Sequence, residues 1–474
     1  MNQLLTDTLH TAPITGTIVL ALVVIMINAL KKDSLRMEYW VSLIGIAANI
    51  ALAVWAFPLR GSAFAGTVMT GGFASLTAAI FLVAAGLTII LARDYIAKIG
   101  VNFGEVFHLI LMAAVGMMTF AAGTDLVVTF VGLELMSVCL YVLAGISRRV
   151  LKANEASLKY FLLGAFATGF FLYGIALIYG MTGTTNILAI AQNIAAYKSE
   201  PLFLVGAGLL FVGFAFKVGA VPFHMWVPDV YEGSPTIVSA FMSTGAKAAA
   251  FSALLLVFTA TFDFSHSSMN TVFAVLAVAS MIVGNVVAIA QTNVKRMLAY
   301  SSIAHAGYML IGITAGGDVS LAGVLFYLIA YVFTNLGAFG VTSIIENAEQ
   351  QGTDLENFRG LYYRRPLLAV LMGVFMFSLV GIPPLAGFFG KYYIFMAAIE
   401  SGYTWLTIVG VITSMISVYY YLRVVVLMFF QTAEEGEAPK VTASGTFALL
   451  VSAAGILLVG LFPSIVLGWM GGLF

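Results

Sequence analysis

Six charged side chains stand inside long apolar runs of this 474-residue chain: Glu134, Lys159, Lys217, Lys247, Lys391 and Arg423. An ionisable group in hydrocarbon costs on the order of 2.5 to 3.5 kcal/mol on insertion scales, so such residues mark relays, pathways or ion pairs. Lys159 and Arg423 stand within about two turns of the ends of their runs, from where a long side chain can snorkel to water. Glu134, Lys217, Lys247 and Lys391 lie deeper, and each is either half of a structural ion pair or a proton carrier. Desolvation drives acids and amines towards their neutral forms, whereas an opposite charge nearby restores the ionised ones. An acid and a lysine that approach and part therefore make a proton switch. If Glu134 approaches Lys217, parting them releases the lysine's proton, which passes along buried water to Lys247.

Histidines offer further relays. His305 lies in Ser301-Ser302-Ile303-Ala304-His305, among polar neighbours, and is either a relay or a satisfied hydrogen-bonding residue. His224 stands where proline interrupts a helix, and His108 stands near the end of a run. His10 and His266 read as exposed, and no spacing among the five histidines suits a haem pair. The single cysteine, Cys139, sits in an apolar run and reads as a small buried hydrophobe. One thiol holds neither an iron-sulfur cluster nor an internal disulfide.

The elements that must position these groups are membrane helices. Hydrophobic residues make up 61% of the chain and charged residues 9%, with mean hydropathy +1.04, which places it in lipid. Lys plus Arg and Asp plus Glu balance at 21 each, so no basic excess exists to bind nucleic acid. No Lys or Arg precedes the first apolar run, so that run reads as a retained span, not a cleaved signal. Runs of spanning length begin near Ile14, Trp40, Phe73, Val106, Leu126, Leu158 and Leu202. They continue near Ile237, Val272, Met297, Leu321, Leu367, Trp405 and Phe447, predicting an all-α integral membrane protein of about fourteen helices.

Helices seven and twelve should be broken. Val221-Pro222-Phe223-His224 interrupts the first just after Lys217, and Gly381-Ile382-Pro383-Pro384 interrupts the second just before Lys391. Irregular backbone at membrane depth is tolerated where it is packed in protein or lines a cavity.

Basic loops orient the spans. Lys31, Lys32, Arg36, Arg93, Lys98, Arg148, Arg149, Lys152, Lys295, Arg296, Arg359, Arg364, Arg365 and Lys440 fall on one side, against Arg60 and Lys198 on the other. The richer side is cytoplasmic, which puts both termini on the opposite face.

Polar residues also recur. Glu134 to His305 is 171 residues, Lys217 to Lys391 is 174 and Lys247 to Arg423 is 176, which would superpose spans four to eight on nine to thirteen. Each unit has an odd number of spans, so the two five-helix repeats should be inverted. The division is residues 1–104 (three helices), 105–260 (first repeat), 271–430 (second repeat) and 431–474 (a loop and the last span).

The stretch from Phe214-Ala215-Phe216-Lys217 through Pro222-Phe223-His224-Met225-Trp226 to Val230-Tyr231, with Gly233-Ser234-Pro235-Thr236, closely resembles the antiporter-like subunits of complex I, the proton-translocating NADH-quinone oxidoreductase. So do Val131-Gly132-Leu133-Glu134-Leu135, Lys295-Arg296-Met297-Leu298-Ala299-Tyr300-Ser301-Ser302 and the segment 381–391, and the likeness runs over nearly the whole chain. Lys391 argues against the M type, which usually carries a glutamate there. The L type carries a long lateral helix after its core, and N is the type this chain is most similar to. The resemblance implies that Glu134 pairs with Lys217, that Lys247 is the central relay and that Lys391 delivers protons outward. Lys159 and His305 match polar-axis positions of the family, with His224 and Arg423 as further relay candidates.

The resemblance further implies a proton-moving part of a redox assembly whose quinone site, FMN and iron-sulfur clusters lie in partner subunits. This chain is expected to bind no cofactor or metal and to have no conventional active site. The implied neighbours are M-type and L-type subunits and the small J and K subunits, in a bacterial cytoplasmic (inner) membrane. The chain contains no dinucleotide-binding glycine motif, so electrons, from NADH or another donor, enter elsewhere. The alternative is an Mrp-type cation/proton antiporter subunit without a redox partner. A fourteen-span solute carrier would need a substrate cavity, and a passive scaffold would leave costly buried charges without purpose.

Overall fold

The structure, a computed structural model, describes residues 2–31, 34–101, 104–259, 268–432, 438–471 and 473. Lys32 and His266 lie outside them.

The chain is a succession of helices: α1 (Asn2–His10), α2 (Ala12–Leu30), α3 (Leu35–Ala56), α4 (Gly72–Lys98), α5 (Glu105–Ala122), α6 (Leu126–Ala144) and α7 (Leu151–Thr182). Two short pieces, α8 (Ile187–Gln192) and α9 (Ile194–Tyr197), lead to α10 (Pro201–Val218), α11 (Trp226–Gly233), α12 (Thr236–Phe241) and α13 (Lys247–Leu254). Then come α14 (Ser268–Ile289), α15 (Val294–Ala315), α16 (Gly317–Ile345), α17 (Leu361–Arg364), α18 (Pro366–Val380), α19 (Ala386–Glu400), α20 (Thr404–Phe430), α21 (Ala443–Leu461) and α22 (Pro463–Met470). Among the described residues a small antiparallel hairpin, β1 (Gly61–Ala63) with β2 (Val68–Thr70), lies between α3 and α4.

Twelve helices among the described residues are long and apolar enough to cross a membrane, so the protein is multi-pass. Helix α15 is not one of them because Lys295, Arg296, Ser301, Ser302 and His305 dilute its apolar character. Nor are α18 and α19, the 15-residue halves of the second broken element.

Both breaks are built alike. Helix α10 starts with Pro201 in its first turn and ends on Gly219 at φ 75°; α18 starts with Pro366 and ends on Gly381 at φ 91°. Only glycine adopts this left-handed stop without steric cost, and the prolines that follow prevent the helix from resuming.

Packing places the charges in the interior. Helices α2 and α3 leave most of their surface outward, whereas Thr236–Phe258, comprising α12, two π-helical turns and α13, is buried throughout its spanning window. Around it, two helical hairpins repeat one close contact. A Cβ on Gly116 of α5 would strike the Met136 amide nitrogen of α6 at 2.4 Å, and one on Gly284 of α14 would strike that of Ala304 on α15 at 2.6 Å. Both members of these pairs are 168 positions apart.

The starts of α6 and α15 carry the same spacing. Leu126 N–H donates to the Thr185 carbonyl and Ile187 N–H to that of Thr124; Val294 donates to Thr353 and Leu355 to Thr292. The cap side chains exchange roles. Asp125 accepts from the Thr185 hydroxyl (2.6 Å), whereas Asn293 donates to that of Thr353 (2.8 Å).

Two expectations are corrected. Lys295, expected in a basic cytoplasmic loop, belongs to α15 and is 1% exposed, with its ammonium 3.3 Å from the Glu346 carboxylate. Burial is tolerable because the opposite charge is buried with it. His10 is half-buried at the end of α1, not fully exposed. His108 is half-buried with Nδ1 3.0 Å from the Ala21 carbonyl, and Cys139 is buried.

Candidate functional site

Lys217 occupies the last turn of α10, where the C-terminal carbonyls supply negative potential. Its ammonium donates to the Ser137 hydroxyl on α6 at 2.8 Å and to Tyr141 Oη at 3.4 Å. The rings of Tyr141, Tyr160 and Phe216 surround it at 5.5 to 5.7 Å.

Glu134 is one turn before Ser137 on the same helix and makes no ion pair within 4 Å of Lys217. Its Oε1 is buried without a hydrogen-bond partner. The expected pair is thus an open one in this conformation, with Ser137 holding the lysine.

His224 lies in the turn between α10 and α11. The turn is fixed by Val221 N–H donating to Ser280 of α14 and by Trp226 Nε1 donating to the Phe216 carbonyl, while His224 Nδ1 is buried and unpaired.

Lys247 follows directly on the π-helical turn Met242–Ala246, a local expansion frequently found at functional positions. It is 2% exposed and donates to both the carbonyl (2.6 Å) and the hydroxyl (2.5 Å) of Ser302 on α15. The adjacent Ser301 hydroxyl bonds Tyr421 Oη of α20. Tyr421 Oη is 3.0 Å from His305 Nε2, and Nδ1 of His305 is 2.5 Å from Tyr327 Oη on α16. His305 is therefore hydrogen-bonded through both nitrogens to tyrosines, one turn from the Ser302 that holds Lys247.

Lys391 sits in the second turn of α19 and reaches back across the break. Its ammonium donates to the carbonyls of Leu379 (3.1 Å) and Val380 (2.8 Å), the end of α18, and to the Ser414 hydroxyl of α20 (2.7 Å). Tyr308 lies 5.0 Å below it. A cavity of about 440 Å³ opens beside the lysine between α19 and α20.

The remaining two basic candidates lie apart. Lys159 pairs with Glu155 (2.7 Å) and with Asp229 (2.8 Å) of α11. Asp229 and Glu232 also bind Arg296, and Glu232 binds Lys152. Burial raises the Asp229 carboxyl, but hydrogen bonds from Lys159 and Arg296 outweigh it and hold it below the usual carboxylate range. Arg423 is half-buried and reaches the Gln291 carbonyl at 3.5 Å.

Sequence reasoning missed the hydroxyls that hold each lysine: Ser137, Ser302 and Ser414. It also missed a second buried cluster, in which Glu346 accepts from Lys295, Thr236 (2.9 Å) and Tyr95 (2.5 Å). Lys98 caps this corner by donating to the carbonyls of Ser343 and Glu346. A usable signal existed in α16, where Tyr327, Tyr331 and Asn335 recur every four residues on one face of an apolar helix. Among the described residues no group of three or more His, Cys, Asp or Glu could hold a metal ion.

The family profile described as NADH:quinone oxidoreductase/Mrp antiporter, TM, matches residues 123–417, more than half of the chain. The chain belongs to this family. Among its relatives, NADH-quinone oxidoreductase subunit N of Trichlorobacter lovleyi is 48% identical over 95% of this chain and 93% of its own length. A chain of respiratory complex I from Thermus thermophilus with bound aureothin superposes with TM-score 0.84 at 36% identity, covering 96% of this chain and 98% of that one. A chain of the Mrp complex from Dietzia superposes with TM-score 0.87 at 22% identity over 98% of this chain and 97% of that one, a likeness of fold.

Proposed function

We propose that this antiporter-family chain is a membrane-arm subunit of a complex I assembly and moves protons across the membrane, driven by electron transfer to quinone in other subunits. The observation that carries the reading is the set of three buried lysines, Lys217, Lys247 and Lys391, each held by a serine hydroxyl from a neighbouring helix. A lysine in such a place loses its proton at modest cost and regains it when a counter-charge approaches. Glu134, open beside Lys217, is the counter-charge; Lys247 is the central relay, with His305 beyond it, and Lys391 is the terminal donor. His224 lies by the first break as a secondary relay. Lys159 and Arg423, tied to Asp229 and to the Gln291 carbonyl, act on the charge balance at the edges of the axis.

The same reading adds α15 and the α18–α19 pair to the twelve spans, making fourteen, arranged with two inverted five-helix repeats. The repeated glycine contact and cap bonds support an offset of 168 residues, under which Glu134 corresponds to Ser302 and Ser137 to His305. The 171-residue pairing of Glu134 with His305 is then one helical turn out of register. M-type, L-type, J and K subunits are the neighbours in this reading, quinone, FMN and iron-sulfur clusters sit in partner chains, and the membrane is the bacterial inner membrane with both termini outside.

Quinone-reductase activity and proton pumping in membranes carrying Lys217→Ala, with assembly confirmed, test the proposal. Loss of both, or of pumping alone, is expected, and wild-type pumping by the assembled variant would make Lys217 a structural charge. An Mrp-type antiporter without redox subunits is the competing reading, and it predicts that no quinone-reducing subunit co-purifies with this chain.

A further inference from the structure

On α16, beside the polar axis, Tyr331 Oη and both polar atoms of the Asn335 carboxamide are buried without a hydrogen bond of normal length and angle, although Tyr331 Oη is near enough to Ser302 and Asn335 to interact weakly with both. The two residues are one turn apart on the same face, and Asn335 is completely buried. Such groups are retained in an apolar interior when something binds them, because an unmade hydrogen bond forfeits the solvation lost on burial.

Their surroundings identify what binds. Tyr331 Oη lies beside Ser302, the residue that holds Lys247, and beside Asn335. The Tyr331 ring is 5.1 Å from that of His305. Tyr331 also lines a cavity of about 10 Å³ with His305, Thr334, Ser378 and Leu379. That volume is about the minimum for one water molecule. Thr334 Oγ1 donates to the Ala330 carbonyl, so the Ser378 hydroxyl donates to Thr334 and keeps a free lone pair. The Leu379 carbonyl on the cavity wall is one of the two that hold Lys391. The cavity thus stands between the contacts of the central lysine and those of the terminal one.

We propose that Tyr331, braced by Asn335, carries protons from the Ser302 side of Lys247 towards Lys391, with one water molecule bound between the Tyr331 and Ser378 hydroxyls. The inference rests on the proton-path reading of the lysines. In the transfer, the Lys247 ammonium gives a proton to the Ser302 oxygen as Ser302 passes its own to Tyr331. Tyr331 passes its own to the water, and the water gives one of its protons directly to a neutral Lys391 amine that has turned from the Leu379 carbonyl towards the cavity. Each hydroxyl keeps one proton and the water keeps two, so charge moves from one lysine to the other and no phenolate forms.

The test uses the assembled complex in native membranes with Tyr331→Phe, which removes one oxygen from the buried ring. The expected result is proton pumping reduced about ten-fold with assembly unchanged. The solvent deuterium effect on turnover should rise, and cryo-electron microscopy should show a water beside Tyr331 in the parent complex and none in the variant. A purely structural tyrosine would leave the isotope effect unmoved.

Lys247→Ala is measured alongside. If Lys247→Ala stops pumping while Tyr331→Phe pumps at the parent rate, Tyr331 is not the carrier and the lysine path stands. If Lys247→Ala also pumps normally, the path itself is refuted. Should Tyr331→Phe prevent assembly, Asn335→Ala, which leaves the phenol in place, serves for the same comparison.

Discussion

The Lys295–Glu346 pair gives the most quantitative prediction, because its two members are shielded from solvent almost completely, with side chains 2% and 0% exposed. Replacing Lys295 by Met leaves the carboxylate with only the Tyr95 and Thr236 hydroxyls as donors. Removing one partner of a buried pair costs about 3 to 5 kcal/mol, whereas replacing both charges by neutral groups of similar size is often close to neutral. Lys295→Met and Glu346→Gln should therefore each shorten the thermal half-life of the solubilised complex severely. The double variant should be less destabilised than either single one, which requires a coupling of more than about 3 kcal/mol, the cost of losing one partner. Half-life at one temperature suits a large membrane assembly whose unfolding is irreversible. Losses that simply add in the double variant would refute the reasoning, since they would mean that the two charges do not stabilise one another.

Three further outcomes follow from the geometry. Ser414→Ala removes the one side-chain hydroxyl that holds Lys391, a hydrogen bond to a charge worth about 1.5 to 3 kcal/mol, and should slow coupled pumping while leaving assembly intact. Gly284→Leu should destabilise by about 1 to 3 kcal/mol or more, because its Cβ meets the Ala304 backbone at 2.6 Å; normal complex on native gels would contradict this. Asp229 has a depressed carboxyl, so its stabilisation is fully present above its ordinary value of 3.8 and is lost as pH falls through the lower folded value. Asp229→Asn should flatten the acid limb of the stability profile below about pH 4 and lower the neutral plateau by the same small amount, since the network is partly solvated.

The lysines and Glu134 were legible because a charge in an apolar run has so few innocent explanations, and the breaks were legible because Gly and Pro punctuate a helix wherever they stand. The serines and tyrosines that hold the lysines were not. Hydroxyl residues in these helices commonly satisfy themselves against their own backbone, as Thr77 does on the Phe73 carbonyl and Thr88 on that of Ala84, so residue type does not separate a ligand from a bystander. Glu346 escaped notice because it directly follows an apolar run and reads as the first residue of a loop. Only the fold reveals that Tyr95, Thr236 and Lys295 close over it. Register was also beyond the sequence. A spacing of 171 and one of 168 differ by less than a helical turn, and the glycine contacts that favour the shorter one depend on which backbone lies opposite.

The two lysines beside the breaks are not equivalent by position, and the reason is instructive. Gly219 and Gly381, like Pro222 and Pro384, are 162 residues apart, whereas Lys217 and Lys391 are 174 apart. Lys217 precedes its break and Lys391 follows its own, and at the spacing of the breaks Lys391 corresponds to Asp229. What the two ammonium groups share is a physical location: the carbonyl end of a half-helix that stops inside the protein. Lys217 is in the last turn of α10, and Lys391 reaches back from α19 to the final carbonyls of α18. A helix ending in the interior presents unpaired carbonyls and the negative pole of its dipole, which stabilise an ammonium group without a carboxylate partner. The break is therefore what makes a buried lysine possible at both places. A carboxylate such as Glu134 can then approach and leave without stranding the lysine among apolar groups, and its departure tips the balance towards release of the proton.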